Sequence, residues 1–133
     1  MSEVLNQATG KKKTSVASVK LSKSKSPSFI INNREALEYF QGQNLLVQLA
    51  LQAFGVSGIE HSGYSIVVNA HGGGLSSQSY AIRLAISKII AKLLPDLRTV
   101  IKQAGLLTRD SRIVERKKVG LRKARKKEQY SKR

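Results

Sequence analysis

From Ser15 to Leu21 the chain alternates, with Ala17, Val19 and Leu21 on one side and Val16, Ser18 and Lys20 on the other, the period-two pattern of a strand with one better-buried face. A short polar stretch ending in Pro27 separates it from a second strand-like run, Ser28 to Ile31, and the pair predicts an antiparallel hairpin. Arg34 to Phe40 has good helix formers with acids early and predicts a short helix. No charge occurs between Glu38 and Glu60, and in "NLLVQLALQAF" only Gln48 and Gln52 form a polar stripe, which predicts a mostly buried helix. Tyr64 to His71 is the clearest strand, Tyr64, Ile66, Val68 and Ala70 opposing Ser65, Val67, Asn69 and His71. Behind Gly72, Gly73 and Gly74, the apolar residues Ile82, Ile86, Ile89 and Leu93 recur at helical spacing. They predict a helix that opens near Leu75 to Ser77, capped by a serine hydroxyl, and stops at Pro95. Leu97, Val100, Ile101 and Ala104 predict one more amphipathic helix, with Asp96 at its start and Gly105 at its stop.

The order strand, strand, helix, strand, helix, helix implies an α+β fold, a small sheet with helices on one face. Charge then divides the chain. The net charge is +16, and twelve of the 24 Lys and Arg residues fall in residues 109–133 against three acids. Residues 1–13 form a basic N-terminal arm carrying Lys11, Lys12 and Lys13, residues 14–108 a nearly neutral globular body, and residues 109–133 an extended basic tail. Arms this polar do not offset the entropy of their own ordering, so a polyanionic partner is implied, nucleic acid before an acidic membrane surface or an acidic protein.

Catalytic chemistry finds little support. The stretch "HGGGLSSQS" presents a glycine turn before a helix, which suits either a tight turn or a backbone phosphate contact at Gly72, Gly73 and Gly74. It lacks the Gly-Lys-Ser/Thr ending of a Walker loop, although "GLSS" resembles the glycine-serine loop of the galactokinase and homoserine kinase family. His61 and His71 have one nearby carboxylate and no cysteine, too few ligands for a metal centre, so neither metal nor cofactor is expected. No apolar run reaches the ~20 residues of a membrane span, and the first fifteen residues lack a long apolar stretch, so a secretory signal is not expected. In the tail, cations spaced three and four apart disfavour a helix and Gly120 interrupts one. Tyr130 among the cations can stack on a base while they hold phosphates.

The segments "GKKKTSVASVKL", "IINNREALEYF", "NAHGGGLSSQSYAIRLAI", "PDLRTVIKQAGLLTRDSRIVERKKVGLRKAR" and "QYSKR" together resemble the S-nine family of small-subunit ribosomal proteins, of bacterial and organellar type, from about Gly10 to Arg133. The resemblance implies a small mixed sheet of the kind found in the second domain of ribosomal protein S-five, with a left-handed strand-helix-strand crossover. It implies a structural, non-enzymatic constituent of the small-subunit head that binds ribosomal RNA, packs beside neighbouring head proteins, and sends its tip, Ser131, Lys132 and Arg133, toward the peptidyl-site transfer RNA. The remaining cations Arg109, Arg112, Arg116, Lys117, Lys118, Arg122, Lys123, Arg125, Lys126 and Lys127, with Tyr130 and the arm lysines, then become ribosomal RNA contacts. Against the family pattern, Ser77 stands for a glycine, Ser79 and Tyr80 for Ala-Gly, Ser18 for an arginine and Glu128 for a proline. Lysines outnumber arginines fifteen to nine, which fits an AT-rich genome and a plastid stroma, with bacterial cytoplasm second. The alternatives are a free nucleic-acid-compacting protein and a small phosphate-binding enzyme built on the glycine loop.

Overall fold

The computed structural model describes residues 4–131. Five strands form one mixed sheet: β1 (Val4–Lys12), β2 (Ser15–Lys23), β3 (Ser28–Ile31), β4 (Arg34–Glu35) and β5 (Tyr64–His71), in the order β1-β2-β5-β3-β4. Three short helices, α1 (Ala36–Tyr39), α2 (Asn44–Ala50) and α3 (Gln52–Ser57), precede β5, and α4 (Leu75–Leu93) and α5 (Arg98–Gln103) follow it. The helices cover one sheet face, and Ala17, Val19, Leu21, Ile31, Ile66 and Val68 are buried beneath them. The opposite face keeps Lys20, Val67, Asn69 and His71 exposed, so the alternation read in β2 and β5 sorts the two sides as expected. No described helix is long and apolar enough to cross a membrane.

Several expectations are corrected. Residues 4–12, expected to be part of a free basic arm, form strand β1, with Gly10 opposite Ala17 and Ala8 opposite Val19. The side chains from Asn6 to Gly10 are small or short and polar, and this lets the strand lie directly against α4. A Cβ on Gly10 would collide with the Ala81 carbonyl oxygen and sit 2.8 Å from the Ala85 amide nitrogen. The ammonium of Lys88 donates to the Thr9 carbonyl at 3.0 Å, covering part of the free edge of β1.

The expected hairpin of β2 and β3 does not form. β5 lies between them, antiparallel to β2 and parallel to β3. Parallel pairing needs a crossover, and α1, α2 and α3 supply it. The hairpin belongs instead to β3 and β4, across Asn32 and Asn33, both at positive φ (51° and 65°), the backbone of a two-residue turn that Asn tolerates. Asn32 also extends the β3–β5 ladder with its side chain, donating to the Ala70 carbonyl at 2.7 Å and accepting from the Ala70 amide at 2.9 Å.

The run expected to be one buried helix breaks at Leu51 into α2 and α3, and Leu45 remains 79% exposed. Only Ala50, Ala53 and Phe54 of that stretch are buried, because α2 is short and meets α4 with one narrow stripe. The predicted short helix at Arg34 to Phe40 contracts to α1, its first two residues being β4. The helix α4 begins and ends as the pattern predicts, but its N-cap is Gly74, with no serine hydroxyl on the first amides. At the other stop, Gly105 (φ 78°) donates to Lys102 and the Leu106 amide to Ile101, the paired bonds of a Schellman ending.

The Gly10 contact has a measurable consequence. Gly10→Ala is expected to destabilise the isolated protein by about 2 kcal/mol or more, as overpacking against backbone atoms does. Gly55→Ala, in α3 where nothing lies within 4 Å of an added Cβ, is expected to stabilise it by about 0.5–1 kcal/mol. Urea unfolding of both variants checks the contrast.

Candidate nucleic-acid interface

The cations predicted to contact nucleic acid separate into two groups. Lys11 and Lys12 close β1, and Lys13 occupies the β1–β2 turn at positive φ (52°). Beyond Gln103 no described residue is in a helix or strand. The chain passes Arg109 and Arg112 close to the lysine turn, and then leaves the body. The two segments meet through Asp110, whose carboxylate accepts from the Lys12 ammonium at 2.7 Å and from the Arg112 guanidinium at 2.8 Å. The Arg112 amide and Nε bond the same carboxylate at 3.0 and 3.1 Å. Hydrogen bonds from Arg112, then Lys12, hold this carboxyl far below the usual Asp range, and Asp110 in turn raises the Arg112 pKa.

Beside this ion pair lies a cavity of about 460 Å³ lined by Lys11, Lys12, Tyr80, Arg83, Arg109 and Arg112, with Asp110 its single carboxylate. Tyr80 stands in the first turns of α4. The Arg83 guanidinium lies 4.8 Å and the Lys12 ammonium 5.3 Å from its ring centroid, both within cation–π range. Burial lowers the Arg83 pKa, with Tyr80 acting in the opposite direction. Neither Tyr80 nor Arg83 is conspicuous in the sequence as a nucleic-acid contact. The available signal is that Arg83 lies off the apolar stripe of α4, one helical turn from an aromatic.

The second group, Arg116, Lys117, Lys118, Arg122, Lys123, Arg125, Lys126, Lys127 and Tyr130, is strung along the exposed tail, where Tyr130 is 96% and Val119 fully exposed. The body does not gather these residues. Glu115 draws Lys118 and Arg125 into ion pairs, Arg125 at 3.0 Å, and the Arg122 amide donates to the Lys126 carbonyl at 2.8 Å, so the middle of the tail folds back as a loop. Ser131 is exposed at the end of the described chain, and Lys132 and Arg133 lie outside the described residues.

The glycine loop joins β5 to α4 and has its own structural demand. Gly72 and Gly73 adopt positive φ (76° and 60°), and a Cβ on either would meet Thr14 or Ser15 of the β1–β2 turn. The Gly72 carbonyl accepts from Ser15 Oγ at 3.0 Å and from the buried Gln78 Nε2 at 2.9 Å, and Gln78 Oε1 accepts from the Tyr39 hydroxyl. Close packing therefore accounts for Gly72 and Gly73. Among the described residues, no group of three His, Asp or Glu side chains converges as a metal centre would require.

Residues 10–133 match the family described as Ribosomal protein S9/S16. The chain belongs to this family. It is 49% identical over 125 residues, 94% of its length, to the small ribosomal subunit protein uS9c of Spinacia oleracea, and it spans 59% of the length of that plant relative. It is 48% identical over 131 residues to the small ribosomal subunit protein uS9 of Mesomycoplasma hyopneumoniae (strain 7448), covering 98% of this chain and 97% of that one. With uS9 of Mycoplasma mobile the identity is 44% over the full length of both. Membership in this ribosomal family sets the enzymatic reading of the glycine loop aside. The two groups of cations thus sit in an S9-family chain, the first held by the body and the second free of it.

The Asp110 ion pair yields a pH expectation. A carboxyl with a depressed folded-state pKa adds stability above its unfolded value and loses it as pH falls toward the folded value. The tail root is therefore expected to stay clamped from neutral pH down to about 4, near the unfolded Asp value, and to loosen only in stronger acid. Backbone amide relaxation at Asp110 to Ile113 checks this. Order should be constant over that range in the wild type and reduced at neutral pH in Asp110→Asn, whereas equal order in both proteins would assign the clamp to other contacts.

Proposed function

We propose that this chain is a structural constituent of the small ribosomal subunit head, in a plastid or a bacterium, that binds small-subunit ribosomal RNA through its basic turn and tail. The body acts as a rigid plug beside neighbouring head proteins. The tail, with twelve cations in 25 residues and no regular structure of its own, enters folded RNA and replaces its counterions. The observation that carries this reading is the convergence of the β1–β2 lysines with Arg109 and Arg112 at the tail root, in a chain whose relatives are named as small-subunit ribosomal proteins. In this reading Lys11, Lys12, Lys13, Arg116, Lys117, Lys118, Arg122, Lys123, Arg125, Lys126, Lys127 and Tyr130 contact RNA by charge and stacking. RNA shape supplies the address, and sequence reading contributes little. The tip, Ser131, Lys132 and Arg133, reaches the peptidyl-site transfer RNA. Backbone amides near Gly74, where nothing lies within 4 Å of an added Cβ, are the part of the glycine loop left open to a phosphate.

Sedimentation of extract tests the assembly. The protein should travel with small subunits through a moderate salt wash, and recovery as free protein on bulk DNA and RNA would support the compacting alternative. If the tail engages about eight phosphates, log affinity for ribosomal RNA should fall with log salt at a slope of roughly −6 to −7.

Deletion of Ser131 to Arg133 separates position from charge. It removes two side-chain cations of 24, so subunit assembly should hardly change. Transfer RNA binding at the peptidyl site should weaken between a few fold and about a hundredfold, as loss of charge-assisted phosphate bonds implies. Undiminished transfer RNA affinity would make the tip an RNA anchor alone.

A further inference from the structure

The cavity at the tail root contains more positive charge than the protein neutralises. Lys12, Arg83, Arg109 and Arg112 surround one carboxylate, Asp110, and Lys12 and Arg112 take it. Among the described residues no carboxylate pairs with Lys11, Arg83 or Arg109. Arg109 donates to the Asp110 backbone carbonyl at 3.0 Å, and Arg83 has only neutral partners, Gln52 Oε1 at 2.8 Å and the Tyr80 ring. Arg83 is half-buried on a helix, so its side chain is held in place while its charge lacks a counterion. A partly desolvated guanidinium without a counterion is costly alone and favourable once an anion arrives.

We propose that this cavity is a binding site for one backbone phosphodiester of single-stranded RNA, held by Arg83 and Arg109 and positioned by Tyr80. The site lies at the tail root and is distinct from the exposed length of the tail from Arg116 onward, and it rests on the RNA-binding reading above. A phosphodiester carries a single negative charge and two free oxygens, which suits a guanidinium fork. The cavity, at about 460 Å³, admits a nucleotide-sized group. Asp110 gives the site its selectivity: it occupies Lys12 and Arg112 and leaves Arg83 and Arg109 for the ligand. Tyr80 acts as a positioning residue, because its ring holds the Arg83 side chain by cation–π contact and leaves the guanidinium donors that Gln52 does not take free for oxygen.

The test uses the full chain and a short single-stranded RNA, compared with the same sequence on an uncharged methylphosphonate backbone. Side-chain NMR signals of Arg83, Arg109 and Tyr80 are followed together with tail amides from Arg116 to Tyr130. Saturable shifts at Arg83 and Arg109 with RNA but not with the neutral analogue are expected. Arg83→Gln should weaken that response about tenfold, as loss of a charge-assisted bond implies, while thermal stability stays equal or rises. Arg83→Lys should recover part of the affinity, since it keeps the charge and loses the fork.

Shifts confined to the tail would overturn the cavity site and leave the RNA-binding reading intact. No shift anywhere would overturn both. Equal response to the neutral analogue, or to an acidic peptide of matched charge, would replace the phosphodiester by a base or by a protein segment and so overturn the proposal. A marked loss of stability in Arg83→Gln would make Arg83 a structural cation, with the same result.

Discussion

The contact between the β1 backbone and α4 at Gly10 is the constraint on which the functional end of the body depends. Strand and helix approach so closely that a single methyl group at Gly10 would strike the peptide of Ala81. This proximity sets the level of the β1–β2 turn against the first turns of α4. Lys12 therefore stands beside Tyr80 and Arg83, although β2, β3, β4, three helices and β5 separate β1 from α4 in sequence. The glycine loop repeats the same economy on the next strand, since Gly72 and Gly73 let the β5–α4 junction pass Thr14 and Ser15 of that turn. Small residues thus serve here to bring backbones together, and the charged side chains beside them inherit their positions.

Electrostatics then divides the tail into a held root and a free length. The clustered cations repel one another, and only a carboxylate can stitch the root to the body. Asp110 does so by accepting from both segments. Glu115 works the same way within the tail, closing a loop onto Lys118 and Arg125, but makes no link to the body. The remaining cations stay exposed with no apolar contact to hold them, and this suits a segment whose ordering comes from a polyanion.

The sheet shows why a parallel pair belongs in this small protein. With β5 inserted between β2 and β3, its Ile66, Val68 and Ala70 are buried on the helical side of the sheet, and neither of its edges is open to water along the paired residues. The cost is a connection that must leave and return on the helical side, and α1, α2 and α3 fill it with few buried residues of their own.

The sequence by itself determined a great deal. Period-two alternation placed β2 and β5 and their buried faces, helical spacing between the glycine run and Pro95 placed α4, and charge bias marked residues 109–133 as strongly basic, because periodicity and net charge are local properties of the chain. Strand neighbours were beyond its reach. A hairpin of β2 and β3 and an insertion of β5 between them share the same local pattern, and only competition among whole packings chooses. β1 was hidden for a related reason, since Asn6 to Gly10 look like a polar arm until α4 supplies the surface that small side chains fit. The basic turn and tail root were each legible as charge. Their meeting at Asp110, and the addition of Tyr80 and Arg83 from α4, came only with the tertiary structure, because convergence of residues far apart in sequence depends on how closely two backbones can approach.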